Sequence, residues 1–129
     1  VAKLTSRLSQ LARQMRGRAS QIVRETAFSI EGDIKQDMAG PKSGRTYKRG
    51  EKTHTASAPG EAPAMDLGEY ANSIQAVPVG EDEWAVGTNH ERGPVLEYGG
   101  AHIEPRPHID PAFERAQGEF QERMKEILK

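Results

Sequence analysis

The sequence predicts an α+β domain in which a long N-terminal helix and a C-terminal helix pack on a small antiparallel sheet, with an extended central loop. Three observations carry this. Apolar residues recur at spacings of three and four over the first 38 positions, two alternating apolar runs flank an acidic turn, and a second helical apolar pattern follows towards residue 128. With 129 residues, 35% of them apolar, and only three Phe, three Tyr and one Trp, there is room for a single domain, 1–129, with a thin core.

The first element is expected over about residues 3–38. Leu4, Leu8, Leu11, Met15, Ala19, Ile22, Thr26, Ile30, Ile34 and Met38 form one stripe at the helical period, with polar residues between them. Such a helix is roughly 50 Å long at about 1.5 Å per residue, more than so small a domain can cover. Either it breaks near Gly17 or Gly32, or another chain buries part of the stripe. A solitary coiled coil fits less well, because Ala19 and Thr26 weaken the seam and the spacing departs from a strict heptad.

From about 39 to 66 the chain changes character. Gly40-Pro41, Ser43-Gly44, Ser57-Ala58-Pro59-Gly60 and Ala62-Pro63 are turn signals, and Tyr47 and Met65 are the only large apolar groups. A loop of 28 residues without secondary structure is uncommon in a compact domain, so it is expected to be flexible or to order against a partner. Its GPKSGRT run lacks the residue order of a phosphate-cradling loop.

Sheet and short helix are expected over about 67–109. Asp66 is placed to cap a short helix running to Ile74. Ile74, Ala76, Val77 and Val79, then Trp84, Val86 and Thr88, give two strands joined by Gly80-Glu81-Asp82-Glu83, with Pro78 confined to an edge or bulge. A two-stranded sheet is marginal alone, so a further strand is sought in Ala101–Ile103, the loop or a neighbouring subunit. Pro94–Tyr98 reads as a short helix stopped by Gly99-Gly100. The last helix, about 110–128, carries Ala112, Phe113, Ala116, Phe120, Met124, Ile127 and Leu128 on one face.

Several functions lose their chemical basis here. The chain has no cysteine, hence no disulfide, thiol nucleophile or cysteine-bound zinc. No run approaches the roughly 18 to 20 apolar residues of a membrane helix, and the chain reads as cytosolic, with no membrane partner. Among His54, His90, His102 and His108 there is no H-E-x-x-H, and the serines stand in no nucleophile elbow. His102, Glu104 and His108 are the one set that could converge on a metal, which leaves a small metal-dependent enzyme as an alternative; the main reading is not an enzyme and implies no cofactor. Carboxylates such as Asp66 and Glu69, or Glu81, Asp82 and Glu83, sit where helix caps and turns put them.

Charge is divided unequally. Residues 1–50 carry 11 Lys or Arg against 4 Asp or Glu, a balance of +7, while residues 51–129 carry 7 against 15, a balance of −8. The two halves can pair within one subunit, between copies, or against separate partners, unless they are simply solvated surface. A nucleic-acid-binding accessory role, through Arg13, Arg16, Arg18, Arg24, Arg45, Lys48 and Arg49, is a further alternative, although these residues include no base-reading motif and no aromatic platform.

Three collinear segments carry a family likeness. They are Thr55–Gly68 followed by Asn72-Ser73-Ile74, Val86-Gly87-Thr88-Asn89 followed by Pro94–Gly99, and Arg106–Ala112. In that order and spacing the chain resembles the tail-component, or tail-completion, proteins of long-tailed bacteriophages and prophages, over residues 55–115 and more loosely in the first helix. It departs from that pattern in lacking an aromatic near Arg92 and in reading Tyr98-Gly99-Gly100 where a Phe-Gly-Thr ending is usual. The resemblance implies a small α+β structural subunit of the virion at the neck or head-proximal end of the tail, present in the host cytoplasm during assembly. It implies a homo-oligomeric ring that meets a tail terminator, tail tube or head-closure protein, with passing DNA as a further contact. On this reading Leu4, Leu8, Leu11, Met15 and Tyr47 are expected to pack on neighbouring subunits. Arg45, Lys48 and Arg49 would face an acidic partner or DNA, and Glu97, Tyr98 and Arg106 would lie at a partner surface unless they serve turn geometry and core packing.

Overall fold

The computed structural model describes residues 2–65 and 68–128, and the side chains of residues 2–6 and 49 lie outside that description. In chain order the elements are α1 (Ala2–Ala39), β1 (Thr46–Arg49), β2 (Lys52–Thr55), α2 (Glu69–Ser73), β3 (Gln75–Gly80), β4 (Glu83–Gly87), α3 (Gly93–Tyr98) and α4 (Asp110–Glu126). The fold is α+β, with the two long helices packed together and against small antiparallel sheets.

Helix α1 runs unbroken for 38 residues, about 57 Å at ~1.5 Å per residue. No break occurs at Gly17 or Gly32. Both glycines face open space, with no atom within 4 Å of where a Cβ would stand, so each weakens helix propensity locally without admitting another element that could bend the axis. The second half of the stripe is the core. Ile22, Ala27, Ile30, Ile34 and Met38 are buried, and Ile30, Ile34 and Met38 meet Ala71, Ile74 and Ala112 in one cluster. Thr26 is only half-buried, the adjacent Ala27 taking the interior position.

Helix α4 lies antiparallel along α1. Arg115 near its start bonds Asp37, Arg123 near its end bonds Glu25, and Ile127 and Leu128 finish beside the α1 segment Leu11–Gln21. On the other side of the stripe, β3 and β4 pair in register Ala76↔Val86 and Val77↔Ala85, with the irregularity falling between Pro78 and Gly80, where the missing proline donor is tolerated. Trp84 packs on Phe28 of α1, ring centroids 5.2 Å apart. At the hairpin tip, Glu81 and Asp82 each come within 3.1 Å of Arg16, so part of the charge division is resolved inside one subunit.

The central stretch holds more order than expected. Residues 46–55 form a second hairpin, β1–β2, in register Tyr47↔His54 and Arg49↔Lys52, separate from the β3–β4 sheet. Its two turn residues are Gly50 and Glu51. Gly50 has φ 63°, and no non-glycine residue described has positive φ, the pattern of a two-residue turn opening on glycine. Two further backbone bonds, Gly44 N–H to Ala56 O and Ala56 N–H to Arg45 O, both 2.9 Å, extend the ribbon past its strands. A Cβ on Gly44 would stand 2.4 Å from the Ala56 carbonyl oxygen, so only glycine fits there. Neither Ala101–Ile103 nor this ribbon adds a strand to β3–β4, and the expected Asp66 cap lies outside the described residues. The residue preceding α2 is Gly68, in the left-handed conformation.

Glu61 fastens the base of the ribbon. Its carboxylate accepts the backbone N–H of Ala58 (2.7 Å) and Ser43 (3.1 Å) and the hydroxyl of Ser43 (2.8 Å). These bonds, the Ala58 N–H foremost, hold its pKa below the ordinary 4.5. A carboxyl with a lowered folded-state pKa contributes stability above its unfolded value and loses it as pH falls through the lowered one. The amide resonances of Ser43 and Ala58 are therefore expected to move with a common midpoint below pH 4.5 in an NMR titration from pH 6 downwards, and Glu61→Gln should abolish that transition.

Candidate functional site

The three collinear motifs meet in space. Glu97, in the last turn of α3, turns inward, 5% exposed, and its carboxylate reaches the start of α4. Oε1 accepts the backbone N–H of His108 (2.9 Å) and Ile109 (2.8 Å), and Oε2 accepts that of Asp110 (3.0 Å). Helix α4 has no side-chain cap from Ile109, its own cap position, so a residue of α3 satisfies the first donors and sets a negative charge at the positive end of the helix dipole.

His108, 1% exposed, is bound at both ring nitrogens. Nδ1 lies 2.7 Å from the Arg106 carbonyl and 3.1 Å from Glu97 Oε1, and Nε2 lies 2.7 Å from the Tyr70 hydroxyl. A carbonyl can only accept, so Nδ1 carries a proton, and in the neutral tautomer that this selects Nε2 accepts from the Tyr70 hydroxyl. Burial first, and the charge of Glu97 second, push the Tyr70 phenol up to about 12, which keeps it a donor. Arg106 closes the knot: its N–H donates to Leu96 O (2.6 Å), its Nε to Ser57 Oγ (3.0 Å) and its guanidinium to Glu104 O (2.6 Å). Gly60 N–H donates to Pro105 O at 3.0 Å, and Ser73 and Thr88 share a 2.6 Å hydroxyl bond. Each motif thus holds another.

An open cleft of about 540 Å³ borders the knot, lined in part by Met38, Tyr70, His90, Arg92 and Arg106. Tyr70, His108 and Glu97 have the order of nucleophile, base and orienting carboxylate, but the chemistry runs the other way. Burial and the Glu97 charge instead keep the Tyr70 phenol protonated, as a donor within the cluster. Among the described residues no buried side-chain nitrogen or oxygen lacks a partner, so the cluster is complete without a ligand.

The geometry bears on two alternatives that the sequence leaves open. Glu97 is an interior residue, not part of a partner surface, because three backbone donors and His108 use its carboxylate. His102, Glu104 and His108 do not form a metal site: the first and second are exposed, the third is buried with both nitrogens engaged, and no group of three potential ligands converges among the described residues. Arg106 is half-buried and committed to Ser57 and backbone carbonyls. Tyr98 is on the surface, its phenol pKa raised mainly by the charge of Asp110.

The remaining interface candidates fall into two exposed groups. On α1, residues 7–14 are all exposed; Leu8 is 58% and Leu11 52% exposed, Met15 is half-buried, and the side chain of Leu4 lies outside the described residues. On the ribbon, Arg45, Tyr47 and Lys48 are exposed, and Arg49 lies at the strand end with its side chain outside the described residues. Among the described residues no helix is long and apolar enough to cross a membrane. No protein-family model, curated protein or solved structure matches this chain.

The knot makes a stability prediction. Tyr70→Phe strands a buried imidazole nitrogen and is expected to cost about 1–3 kcal/mol; Glu97→Ala strands three backbone donors and should cost more, about 3 kcal/mol or above, by urea denaturation. A cost under about 1 kcal/mol for Glu97→Ala would mean that this carboxylate does not hold α4.

Proposed function

We infer that the chain is a structural subunit of a tailed-phage or prophage particle, completing the head-proximal end of the tail as a homo-oligomeric ring and meeting a tail terminator, tail tube or head-closure protein. The observation that carries this is the mismatch in length between α1 and its cover. Helix α4 ends beside Leu11–Gln21, while α1 continues with Leu8 and Leu11 exposed on the same helical row that forms the core further along. Leu128, 76% exposed, lies at the same end. An apolar row that its own domain leaves uncovered is what a subunit presents to a neighbour. The motif run that resembles the tail-completion proteins supports the same reading, since its three segments build one interlocked unit. Among the described residues, the Tyr70–His108–Glu97 cluster spends its hydrogen bonds on holding α3, α2 and the start of α4 together, which suits a structural unit.

Particles from a strain carrying the gene are the direct test. Cryo-electron microscopy is expected to find a ring of these subunits at the head–tail junction, and Leu8→Glu with Leu11→Glu should leave the melting temperature of the isolated chain within a few degrees while abolishing incorporation. Intact particles that lack the chain, or that incorporate the double variant normally, would refute the reading.

A further inference from the structure

The β1–β2 ribbon concentrates one chemistry on one face. Side chains alternate along a strand, so Arg45 and Tyr47 share a face, and the register sets His54 across from Tyr47, with Lys52 two residues before His54 on the same face. Tyr47 and His54 do share a face, their rings meeting edge-on with centroids 5.4 Å apart. Lys48 lies on the opposite face across from Thr53, and the strands themselves contain no acidic residue; Glu51, in the turn, is the one carboxylate between Lys42 and His54. The acidic surplus of the chain lies elsewhere. Glu81 and Asp82 are engaged by Arg16, and Asp37 and Glu25 by Arg115 and Arg123, so the intramolecular ion pairs described leave Arg45, Lys48 and Lys52 of the ribbon without a carboxylate.

We propose that the β1–β2 ribbon binds a nucleic-acid strand through its phosphates, with Arg45 and Lys52 as the phosphate-facing cations and the Tyr47–His54 pair as the surface beside which the sugar or base edge lies. A ribbon of two strands is narrow enough to enter the major groove of duplex DNA, and its cations need no base-specific geometry to neutralise phosphates. An acidic protein face would supply the same sign of charge. The aromatic pair set between the cations favours nucleic acid, because bases and sugars offer faces for an aromatic ring and carboxylate side chains do not. The ribbon is favoured over the cationic first half of α1, where Arg16 is engaged by the β3–β4 turn and residues 2–20 include no aromatic ring. This inference is independent of the place of the chain in a particle.

The test is fluorescence anisotropy of the full chain with a labelled duplex and a labelled single strand of about 20 nucleotides, over NaCl from about 50 to 200 mM, where counterion release makes phosphate binding steeply salt-dependent. The proposal expects binding at the low-salt end to at least one probe. Arg45→Gln with Lys52→Gln should weaken it about tenfold or more, and flatten the log–log salt slope by about 0.7–0.9 per lost phosphate contact. Arg7→Gln with Arg13→Gln and Arg18→Gln, on α1, should leave affinity within about twofold, and Tyr47→Ala, with the charges intact, should weaken binding without altering the salt slope. Circular dichroism and melting of each variant keep a folding defect distinct from a lost contact. No binding to either probe at low salt, equal competition by poly-glutamate, or loss in the α1 variant with retention in the ribbon variant would each overturn the proposal.

Discussion

The apolar stripe Ile22, Ala27, Ile30, Ile34 and Met38 on α1 is the surface on which the other main elements bury themselves. Helix α4 covers one side of it, β3 and β4 the other, and Ile34, at 0% exposure, sits where both meet Ala71, Ile74 and Ala112. A two-stranded hairpin and a 17-residue helix are each marginal alone in water, so their order is borrowed from this helix. The stripe continues past the elements that use it. That is why a small chain can have a tight core at one end of a helix and exposed leucines at the other.

The second organising contact is the carboxylate of Glu97. It acts as a cap delivered from another element: three consecutive N–H groups at the start of α4 converge on it, and His108 braces it from the side. A buried charge is tolerated only where its hydrogen-bonding capacity is filled, and here the donors come from a helix end that needs an acceptor anyway. The same contact draws together segments that are 11 to 13 residues apart in the chain, while Tyr70 ties in α2 and Arg106 ties in Ser57 ahead of it. Segments scattered from Ser57 to Asp110 are, physically, a set of positions that hold one another.

What was legible in the sequence follows from what each element is made of. Helices α1 and α4 and the β3–β4 hairpin announce themselves by apolar periodicity, since each buries one face, and their limits agree with expectation to within a few residues. The β1–β2 ribbon buries little, so that signal is missing. Its signs were subtler: Thr46, Tyr47, Thr53 and Thr55 favour strands, and a glycine opens the two residues between Arg49 and Lys52. The burial of Glu97 and His108 could not be read from local pattern, because a carboxylate counts as surface until the start of α4 is brought to it. For the same reason the sequence places His108 among loop histidines beside His102 and Glu104. Its neighbours in space are Tyr70, Glu97 and the Arg106 carbonyl, and only the first is far away in the chain.

Helix α1 is thus divided by what covers it: a second half fixed by the core and a first half whose apolar residues Leu8 and Leu11 are exposed. Hydrogen exchange along this helix, on the dilute chain and on the assembled form, probes that division most directly. The account predicts strong amide protection over residues 27–38 and weak protection over residues 7–14 in the dilute chain, with the latter rising on assembly. Uniform protection along α1 in the dilute chain, or a first half that exchanges equally fast after assembly, would contradict it.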